Sequence, residues 1–255
     1  MILKESAKGD MFMGRKRAKQ AEVEEQKGFE YLSGTLTPDW WHKADKLQLQ
    51  YDEAIDHFDV VMLDARAGTG KTTITVMKAL DYLRRGAVDV IRYVRFVDSR
   101  TQKLGAIPGD PAEKQKVFMF PFYEAMAECG IPPEHVDAMV TAGLIELSTD
   151  IYFRGRNVKR SFYIIDEAQN GDIEDLRLVL TRPHDDGKVA VIGHSKQVDR
   201  KLPKYGKDKL IPFQVYQKHM DKERWTMVCT LLTDHRGKIS RWADEIELTL
   251  KELEL

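Results

Sequence analysis

The chain has 255 residues, which allows one domain or two, and its 40 basic and 41 acidic side chains give a formal net charge of −1. This balance excludes a protein that coats nucleic acid through its overall charge, so such binding would need a local basic patch. Hydrophobic residues make up 42% of the chain, which excludes wholesale disorder. No apolar run approaches the ~18 residues of a membrane span, so we expect no membrane segment.

The first 45 residues are charged and weakly patterned, and we predict that they form an N-terminal arm or helical extension. The basic run Arg15–Lys19 can contact phosphate, although such runs are more often solvated surface. Trp40 and Trp41 follow a Pro-Asp turn, and core packing, stacking on a base and a subunit contact are all open for them. A second region, residues 46–255, is predicted to form one α/β domain.

The start of the chain and the two cysteines indicate the compartment. Residues 1–27 contain no apolar stretch of the kind that a secretory signal needs. Cys129 and Cys229 lie too far apart for a metal-ligand spacing and form no disulfide framework. We therefore expect reduced thiols in a cytoplasmic protein.

After residue 45, short apolar runs alternate with stretches of helical period. Strands that are buried on both faces of a sheet read as near-continuous apolar runs. Such runs predict strands over Asp59–Asp64, Asp89–Val97, Leu144–Thr149, Ser161–Asp166, Lys188–Gly193 and Thr226–Leu232. Helices are predicted over Thr72–Arg84, Pro121–Glu128, Pro133–Ala142 and Ile173–Leu180. This alternation predicts a mostly parallel sheet with helices on both faces, which is a three-layer α/β fold.

The first predicted strand runs into a phosphate-binding loop pattern that has Ala in place of the first Gly. Gly68 and Gly70 let the backbone turn its N–H groups toward phosphate oxygens, and the following helix adds the positive end of its dipole. Lys71 can reach the β- and γ-phosphates, and the Thr72 hydroxyl can ligate Mg²⁺. The predicted nucleotide-binding residues of this loop are Ala67, Gly68, Thr69, Gly70, Lys71, Thr72 and Thr73.

A second motif begins where the strand Ser161–Asp166 ends in two carboxylates. Asp166 is predicted to hold the Mg²⁺ together with Thr72, because ligands of parallel sheets collect at the carboxyl ends of the strands. Glu167 is placed to polarise an attacking water. Gln197, beyond the next strand, is predicted to touch the γ-phosphate or that water.

Two further residues are candidates for nucleotide contacts. Gln50 lies 21 residues before Lys71, and a glutamine amide can pair with N6 and N7 of adenine; a surface position on a helix is the alternative. Arg236 follows the last predicted strand, where it either senses nucleotide or supports the end of that strand.

These motifs resemble those of the PhoH-like proteins and occur in the order of that family. The segments that carry the resemblance are Gln50-Tyr51, Ala67–Thr72, Lys103–Asp110, Phe153–Arg156, Asp166–Asn170, Leu180–Arg182 and Gly193–Asp199. The resemblance implies a P-loop ATPase with one RecA-like domain, similar to the first core domain of superfamily 1 helicases, and ATP and Mg²⁺ as cofactors. It also implies a homo-oligomeric ring, expected to be a hexamer, and single-stranded RNA or DNA as a partner.

The chain departs from the family pattern in three motifs. The loop begins with Ala65 and Arg66 where the family has Gly-Pro. His194 replaces an acid, and Phe96 follows Arg95 where the family has Pro.

A single RecA-like core would leave the γ-phosphate half exposed to water, so we expect a neighbouring subunit to supply an arginine. Arg182 is the first choice, and its rivals are Arg154, Arg156 and Arg236. Basic residues beside an aromatic side chain suit a single nucleic-acid strand. The predicted contacts with such a strand are Arg95, Arg100, Lys103, Arg154 and Arg156.

Three functions are compatible with the sequence. The first is an ATPase stimulated by single-stranded nucleic acid, acting as an RNA helicase or translocase. The second is an ATPase that remodels or switches a protein partner without nucleic acid. The third is a small-molecule kinase, which the Asp-Glu-Ala-Gln sequence from Asp166 argues against.

Overall fold

A computed structural model describes residues 30–97, 117–150 and 159–253 of the chain. Four of the predicted nucleic-acid contacts, Arg100, Lys103, Arg154 and Arg156, lie outside the described residues, as does the basic run Arg15–Lys19. None of the helices in the described ranges is both long and apolar enough to cross a membrane.

Within these ranges the chain forms six strands and eight α-helices. The strands are β1 (Val60–Ala65), β2 (Val90–Arg95), β3 (Ile145–Thr149), β4 (Ser161–Asp166), β5 (Lys188–Gly193) and β6 (Thr226–Leu231). The helices are α1 (Lys46–His57), α2 (Lys71–Arg84), α3 (Phe120–Glu128), α4 (Pro133–Thr141), α5 (Ile173–Leu180), α6 (Pro212–Met220), α7 (Lys238–Asp244) and α8 (Ile246–Glu252). Two short 3-10 helices cover Asp39–Lys43 and Ala168–Asn170.

The six strands form one sheet in the order β3-β2-β4-β5-β1-β6, and every neighbouring pair is parallel. This confirms the predicted α/β fold and the six predicted strands. Since the strands are parallel, all their carboxyl ends lie at one edge of the sheet, which is where ligands bind in such folds. Strand β5 lies between β1 and β4, so the tip of β5 separates the loop after β1 from Asp166 at the end of β4.

Alternating side chains of the central strands bury two separate apolar layers. On one face Val61 and Leu63 of β1 pack with α1, α2, α3 and α4. On the other face Val60 and Met62 pack with α5 and α6. Each fully buried large apolar side chain stabilises the fold by about 1.5–3 kcal/mol relative to an exposed one. The sheet thus lies between two helical layers that cover its faces, and its carboxyl edge is not covered by them.

Helices α1, α6, α7 and α8 add to the four helices predicted from the sequence. The start of α1 is fixed by a capping box, in which Asp45 Oδ1 accepts from the Leu47 and Gln48 N–H groups while Gln48 Oε1 accepts from the Asp45 N–H. This start determines which face each residue of α1 presents to the sheet.

Candidate functional site

The loop between β1 and α2 needs its two glycines for conformation and for space. Gly68 and Gly70 have φ values of +74° and +78°, a region that residues with a Cβ rarely adopt. A Cβ on Gly68 would lie 2.2 Å from Asp234 Oδ1, and one on Gly70 would lie 2.8 Å from Trp40 Cη2. The loop is therefore packed against its surroundings on two sides, while the first N–H groups of α2 have no partner within the helix.

Two hydrogen bonds hold this loop from outside. The Gln48 side chain donates Nε2–H to the Thr69 carbonyl at 2.9 Å, and the His235 backbone N–H donates to the Gly68 carbonyl at 2.9 Å. Inside the loop, Thr69 Oγ1 donates to the Arg66 carbonyl at 3.0 Å. Because these carbonyl groups are hydrogen-bonded, the loop is pre-organised to present its N–H groups to an anion.

A cavity of about 440 Å³ opens at the start of α2. It is lined by six of the predicted nucleotide-binding residues, namely Gly68, Gly70, Lys71, Thr72, Thr73 and Arg236. Arg236 is held beside the loop, because its N–H donates to Asp234 Oδ1 at 2.7 Å. Ala67 and Thr69 belong to the same loop, and Thr69 is buried beneath it. The structure therefore brings these six residues together around one cavity, whereas Ala67 and Thr69 do not line it.

The structure does not place Gln50 at this cavity. Gln50 is exposed and lines a separate cavity beside Met227 and Cys229 of β6. Gln48 is the glutamine at the loop, because two residues along an α-helix rotate a side chain by about 200° around the axis. The sequence did contain the signal, since the Asp45 cap with glutamine three residues later fixes the helix phase.

Trp40, Thr73 and Glu128 form a second contact set beside the loop. Trp40 packs on Gly70 and lines the cavity, while its Nε1–H donates to Glu128 Oε2 at 3.1 Å. Thr73 Oγ1 donates to the same oxygen at 3.0 Å, so the predicted nucleotide contact Thr73 has a protein partner. Both Trp40 and Trp41 also pack against the apolar core.

Asp166 lies at the end of β4 and is 1% exposed. Its Oδ2 accepts a short hydrogen bond from the Tyr93 hydroxyl, and its Oδ1 accepts from the Glu167 N–H at 2.9 Å. Burial and the Glu167 charge raise the pKa of Asp166, while the Arg95 and Lys71 charges oppose this rise. Burial and the Asp166 charge likewise hold the pKa of Tyr93 well above its usual value, so Tyr93 stays a donor.

Glu167 and Gln197 line another cavity, of about 700 Å³, which is called the second cavity from here on. Glu167 has φ +55°, and its Oε2 accepts from Gln169 Nε2 at 2.6 Å. Gln169 Nε2 also donates to the Gln197 carbonyl at 3.0 Å, so Gln169 joins the two predicted catalytic residues. His194, at the tip of β5, is held through its N–H by Gln169 Oε1 at 2.9 Å.

Arg95, which is predicted to contact nucleic acid, lies beside two carboxylates at the end of β2. Its side chain is 21% exposed, with Nη1 at 3.9 Å from Asp166 Oδ2 and Nη2 at 3.6 Å from Glu167 Oε1. The cause is the register of the sheet, which sets Arg95 of β2 directly beside Asp166 of β4. Arg95 also lines the second cavity.

Arg182 lies outside the site of its own chain. Helix α5 leads away from the carboxyl edge of the sheet, and Arg182 follows it, before β5 begins at the opposite edge. Arg182 Nε is buried without a hydrogen-bond partner in the described part of the chain. The prediction assigns Arg182 to a neighbouring subunit, and it stays a prediction.

Arg200 ties several chain segments at the carboxyl edge. Its Nη1 donates to the Asn170 carbonyl at 2.8 Å and lies 3.4 Å from Asp175 Oδ2 and 4.0 Å from Asp150 Oδ2. Asp150 Oδ1 accepts from the Val97 N–H at 3.1 Å, which links the ends of β2 and β3. Burial is the largest influence on Asp150 and raises its pKa to about 6.

Oxygen donors for a metal ion come from Thr72 and Asp166. Mg²⁺ prefers hydroxyl, carboxylate and water oxygens, and each Asp166 oxygen accepts one described hydrogen bond, which leaves it a further lone pair. The donor set therefore fits Mg²⁺. Within the described residues, no group of three or more His, Cys, Asp or Glu side chains forms a metal site by itself.

Comparisons with known proteins agree with this geometry. A family model described as "PhoH-like protein" matches residues 42–231. The chain is 36% identical over 174 residues to a PhoH-like protein of Synechocystis sp., covering 68% of this chain and 52% of that protein. It is 33% identical over 157 residues to a PhoH-like protein of Bacillus subtilis, covering 62% and 48%. It is 32% identical over 156 residues to Protein PhoH of Escherichia coli, covering 61% and 44%. The chain thus spans about half the length of these curated relatives.

The loop glycines lead to a prediction with a matched control. Gly68 and Gly86 both have positive φ, but a Cβ on Gly86 would meet nothing within 4 Å. We expect Gly86→Ala to lower the free energy of unfolding by about 1–2 kcal/mol through backbone strain alone, with unchanged ADP binding. Gly68→Ala should cost more stability and abolish ADP binding, because Asp234 must also move. Urea denaturation and ADP titration check this, and equal effects of the two variants would contradict it.

Asp150 leads to a prediction about pH. Because its pKa is raised to about 6 in the fold, the folded chain holds a proton that the unfolded chain loses first. The contribution of Asp150 to stability is therefore fully present only below the ordinary Asp value of 3.8, and it falls by at most about 3 kcal/mol as the pH rises through 6 toward 7. Asp150→Asn keeps an oxygen for the Val97 N–H and removes this loss. Urea denaturation of both proteins across this range should diverge with rising pH; parallel profiles would contradict the assignment.

Proposed function

This chain belongs to the PhoH-like family, a family of P-loop ATPase type, and from this premise we propose that it is a Mg²⁺-dependent ATPase. One observation carries the proposal. The glycine-turned loop at the start of α2 and the buried carboxylate of Asp166 lie at the same edge of the sheet, at the ends of two strands that only β5 separates.

The proposed roles follow from position. The loop N–H groups and Lys71 bind the phosphates, and the Gly68–Gly70 turn excludes side chains from the place where the phosphates approach the backbone. Thr72 and Asp166 would hold Mg²⁺, which neutralises charge on the β- and γ-phosphates. Gln48, Trp40 and Arg236 line or brace the part of the cavity beyond the phosphates, where the base would lie.

Glu167 is the proposed residue that orients and deprotonates the attacking water. Its carboxylate lines the second cavity, together with Gln197, whose position at the tip of the strand next to β1 suits contact with the γ-phosphate or the water. Gln169 contacts both residues and would keep them at a fixed separation.

We further propose that the ATPase works as a homo-oligomeric ring, expected to be a hexamer, that single-stranded RNA or DNA stimulates as in a helicase or translocase. One core leaves the phosphate cavity open on one side, which a neighbouring subunit would close. Exposed apolar side chains at the C-terminal end support a subunit contact, since monomers rarely present such clusters. They are Ile239, Trp242, Ile246, Leu248, Leu250 and Leu253.

Hydrolysis is tested with Lys71→Ala beside Lys222→Ala, which removes an exposed lysine far from the loop. We expect the wild type to release phosphate from ATP only with Mg²⁺ and faster with oligouridine. Lys71→Ala should lose at least about 100-fold in turnover, because a preorganised cation is removed from the developing charge, and Lys222→Ala should match the wild type.

The outcomes separate the candidate functions. Hydrolysis that depends on Lys71 but ignores both RNA and DNA would favour an ATPase directed at a protein partner. Phosphate transfer to a small molecule instead of water would identify a kinase. No Lys71-dependent hydrolysis in the assembled protein would overturn the proposed ATPase.

The subunit arginine makes a separate prediction. Arg182→Ala should bind ATP with wild-type affinity and hydrolyse it about 1,000-fold more slowly, because an arginine supplied in trans contributes 10³–10⁵-fold in related enzymes. Arg177→Ala is the matched control, since Arg177 is an exposed arginine of the same helix that pairs with Glu174. Mixing Arg182→Ala with Lys71→Ala subunits should restore part of the activity. Normal hydrolysis by Arg182→Ala would exclude it as the trans arginine.

A further inference from the structure

Two carboxylates line the cavity at the phosphate loop, on the wall that helix α3 forms. Glu124 and Glu128 are exposed and lie one turn apart on α3, with Pro121 and Ala125 on the same face of the helix. Acidic side chains repel a polyanionic ligand. Their presence in a cavity that begins at a phosphate-binding loop therefore indicates a part of the ligand that donates hydrogen bonds.

The carboxylate of Glu128 is fixed by residues around the loop. Its Oε2 accepts from the Trp40 Nε1–H at 3.1 Å and from the Thr73 hydroxyl at 3.0 Å. Trp40 in turn packs against Gly70 of the loop. The described hydrogen bonds of Glu128 use Oε2 alone, so the lone pairs of Oε1 are available to a ligand.

The direction in which a nucleotide would extend from the loop brings its sugar to this wall. In the proposed complex, Thr72 and Asp166 hold the metal beside the γ-phosphate, so the sugar lies at the other end of the phosphate chain. The cavity reaches from Thr72 to Trp40 and α3, and Asp166 does not line it. The part of the nucleotide that enters this cavity is therefore the part beyond the phosphates.

We propose that Glu124 and Glu128 accept hydrogen bonds from the ribose hydroxyls, so that the site selects ribonucleotides over deoxyribonucleotides. Trp40 is the positioning residue that keeps the Glu128 carboxylate in place for this contact. Acidic side chains accept from ribose hydroxyls in dinucleotide-binding folds as well, so the chemistry has a precedent on an unrelated site. This inference rests on the proposed ATPase activity, whose substrate class it specifies.

The sugar suits the two carboxylates better than the phosphates or the base. Ionised phosphates accept hydrogen bonds and are repelled by carboxylates, whereas ribose hydroxyls donate, and a bond to an ionised acceptor is stronger than a neutral one. Glu128 is bonded to Thr73, which directly follows Thr72 in the chain. It therefore lies close to the phosphate-binding end of α2, and the sugar is the part of a nucleotide next to the phosphates.

A contact of this kind has a measurable consequence for selectivity. A site that is built to bond a hydroxyl disfavours the analogue that lacks it, because the acceptor then loses its partner. Phosphates and base are the same in a ribonucleotide and its deoxy analogue. The ratio of their affinities therefore isolates the sugar, and any repulsion between the carboxylates and the phosphates cancels in it.

The first experiment titrates the full chain with ADP, 2′-deoxy-ADP and 3′-deoxy-ADP in the presence of Mg²⁺ and measures each affinity by calorimetry. The wild type should bind ADP about tenfold more tightly than at least one deoxy analogue, because a hydrogen bond to a charged acceptor is lost. This measurement needs no hydrolysis.

Substitutions on α3 assign the effect to the two carboxylates. Glu128→Gln keeps an oxygen for the Trp40 and Thr73 donors but removes the charged acceptor, and Glu124→Ala removes the second carboxylate. Each change should lower the affinity ratio, and the variant with both should bring it to about one. Glu134→Gln is the matched control, since it removes an exposed acid from the next helix, α4, and should keep the wild-type ratio.

Trp40→Phe tests the positioning role. This change keeps an aromatic ring beside Gly70 and removes the Nε1–H that bonds Glu128 Oε2. The affinity ratio should fall part of the way to one, while the affinity for the deoxy analogues stays close to that of the wild type, because the phosphate contacts are kept. A merely structural role of Trp40 would weaken the binding of all three nucleotides by the same factor.

Equal affinities of the wild type for the three nucleotides would overturn the ribose contact, and so would a wild-type ratio in the variant that lacks both carboxylates. Tighter binding of all three nucleotides by that variant, with an unchanged ratio, would show that the acids only repel phosphate and would overturn the contact too. A wild type that binds none of the three would instead overturn the proposed ATPase, so the two failures are distinguishable.

Discussion

The carboxylate of Asp166 is the constraint on which the carboxyl edge of the sheet depends. A carboxylate that is 1% exposed is costly to bury unless donors and cations satisfy it. Three neighbours do so from two strands: the Tyr93 hydroxyl, the Glu167 N–H and, at longer range, Arg95. Because β2 and β4 pair in register, Arg95 lies directly beside Asp166, so the geometry of the sheet itself supplies the cation.

The segment after Asp166 forms hydrogen bonds to the tip of the neighbouring strand β5. Gln169 accepts from the His194 N–H and donates to the Gln197 carbonyl, while Asn170 exchanges two hydrogen bonds with Asp199. These bonds hold the tip of β5, which lies between the phosphate loop and Asp166. The amide side chains of this segment therefore act on the structure by fixing β5, in addition to any contact with a ligand.

Much of this arrangement follows from local sequence, and the remainder depends on long-range contacts. Apolar runs predict all six strands, since strands buried on both faces leave no polar alternation, and the loop pattern predicts where phosphate binds. The sequence-based prediction placed Gln50 at the loop, whereas the structure places Gln48 there. Which of the two faces the loop depends on where helix α1 begins, and that start is set by the Asp45 cap. The position of Arg95 could not be read locally, since it depends on which strand pairs with β4, a contact across 71 positions between Arg95 and Asp166.

Glu167 combines these local and long-range effects. A residue at φ +55° would favour glycine if the backbone alone mattered, so the presence of glutamate requires a contribution from its side chain. That side chain contacts Arg95 of β2 on one side of β4 and Gln169 on the other, where Gln169 bonds to the tip of β5. The strained backbone of Glu167 is therefore held by contacts that reach the strands on both sides of β4.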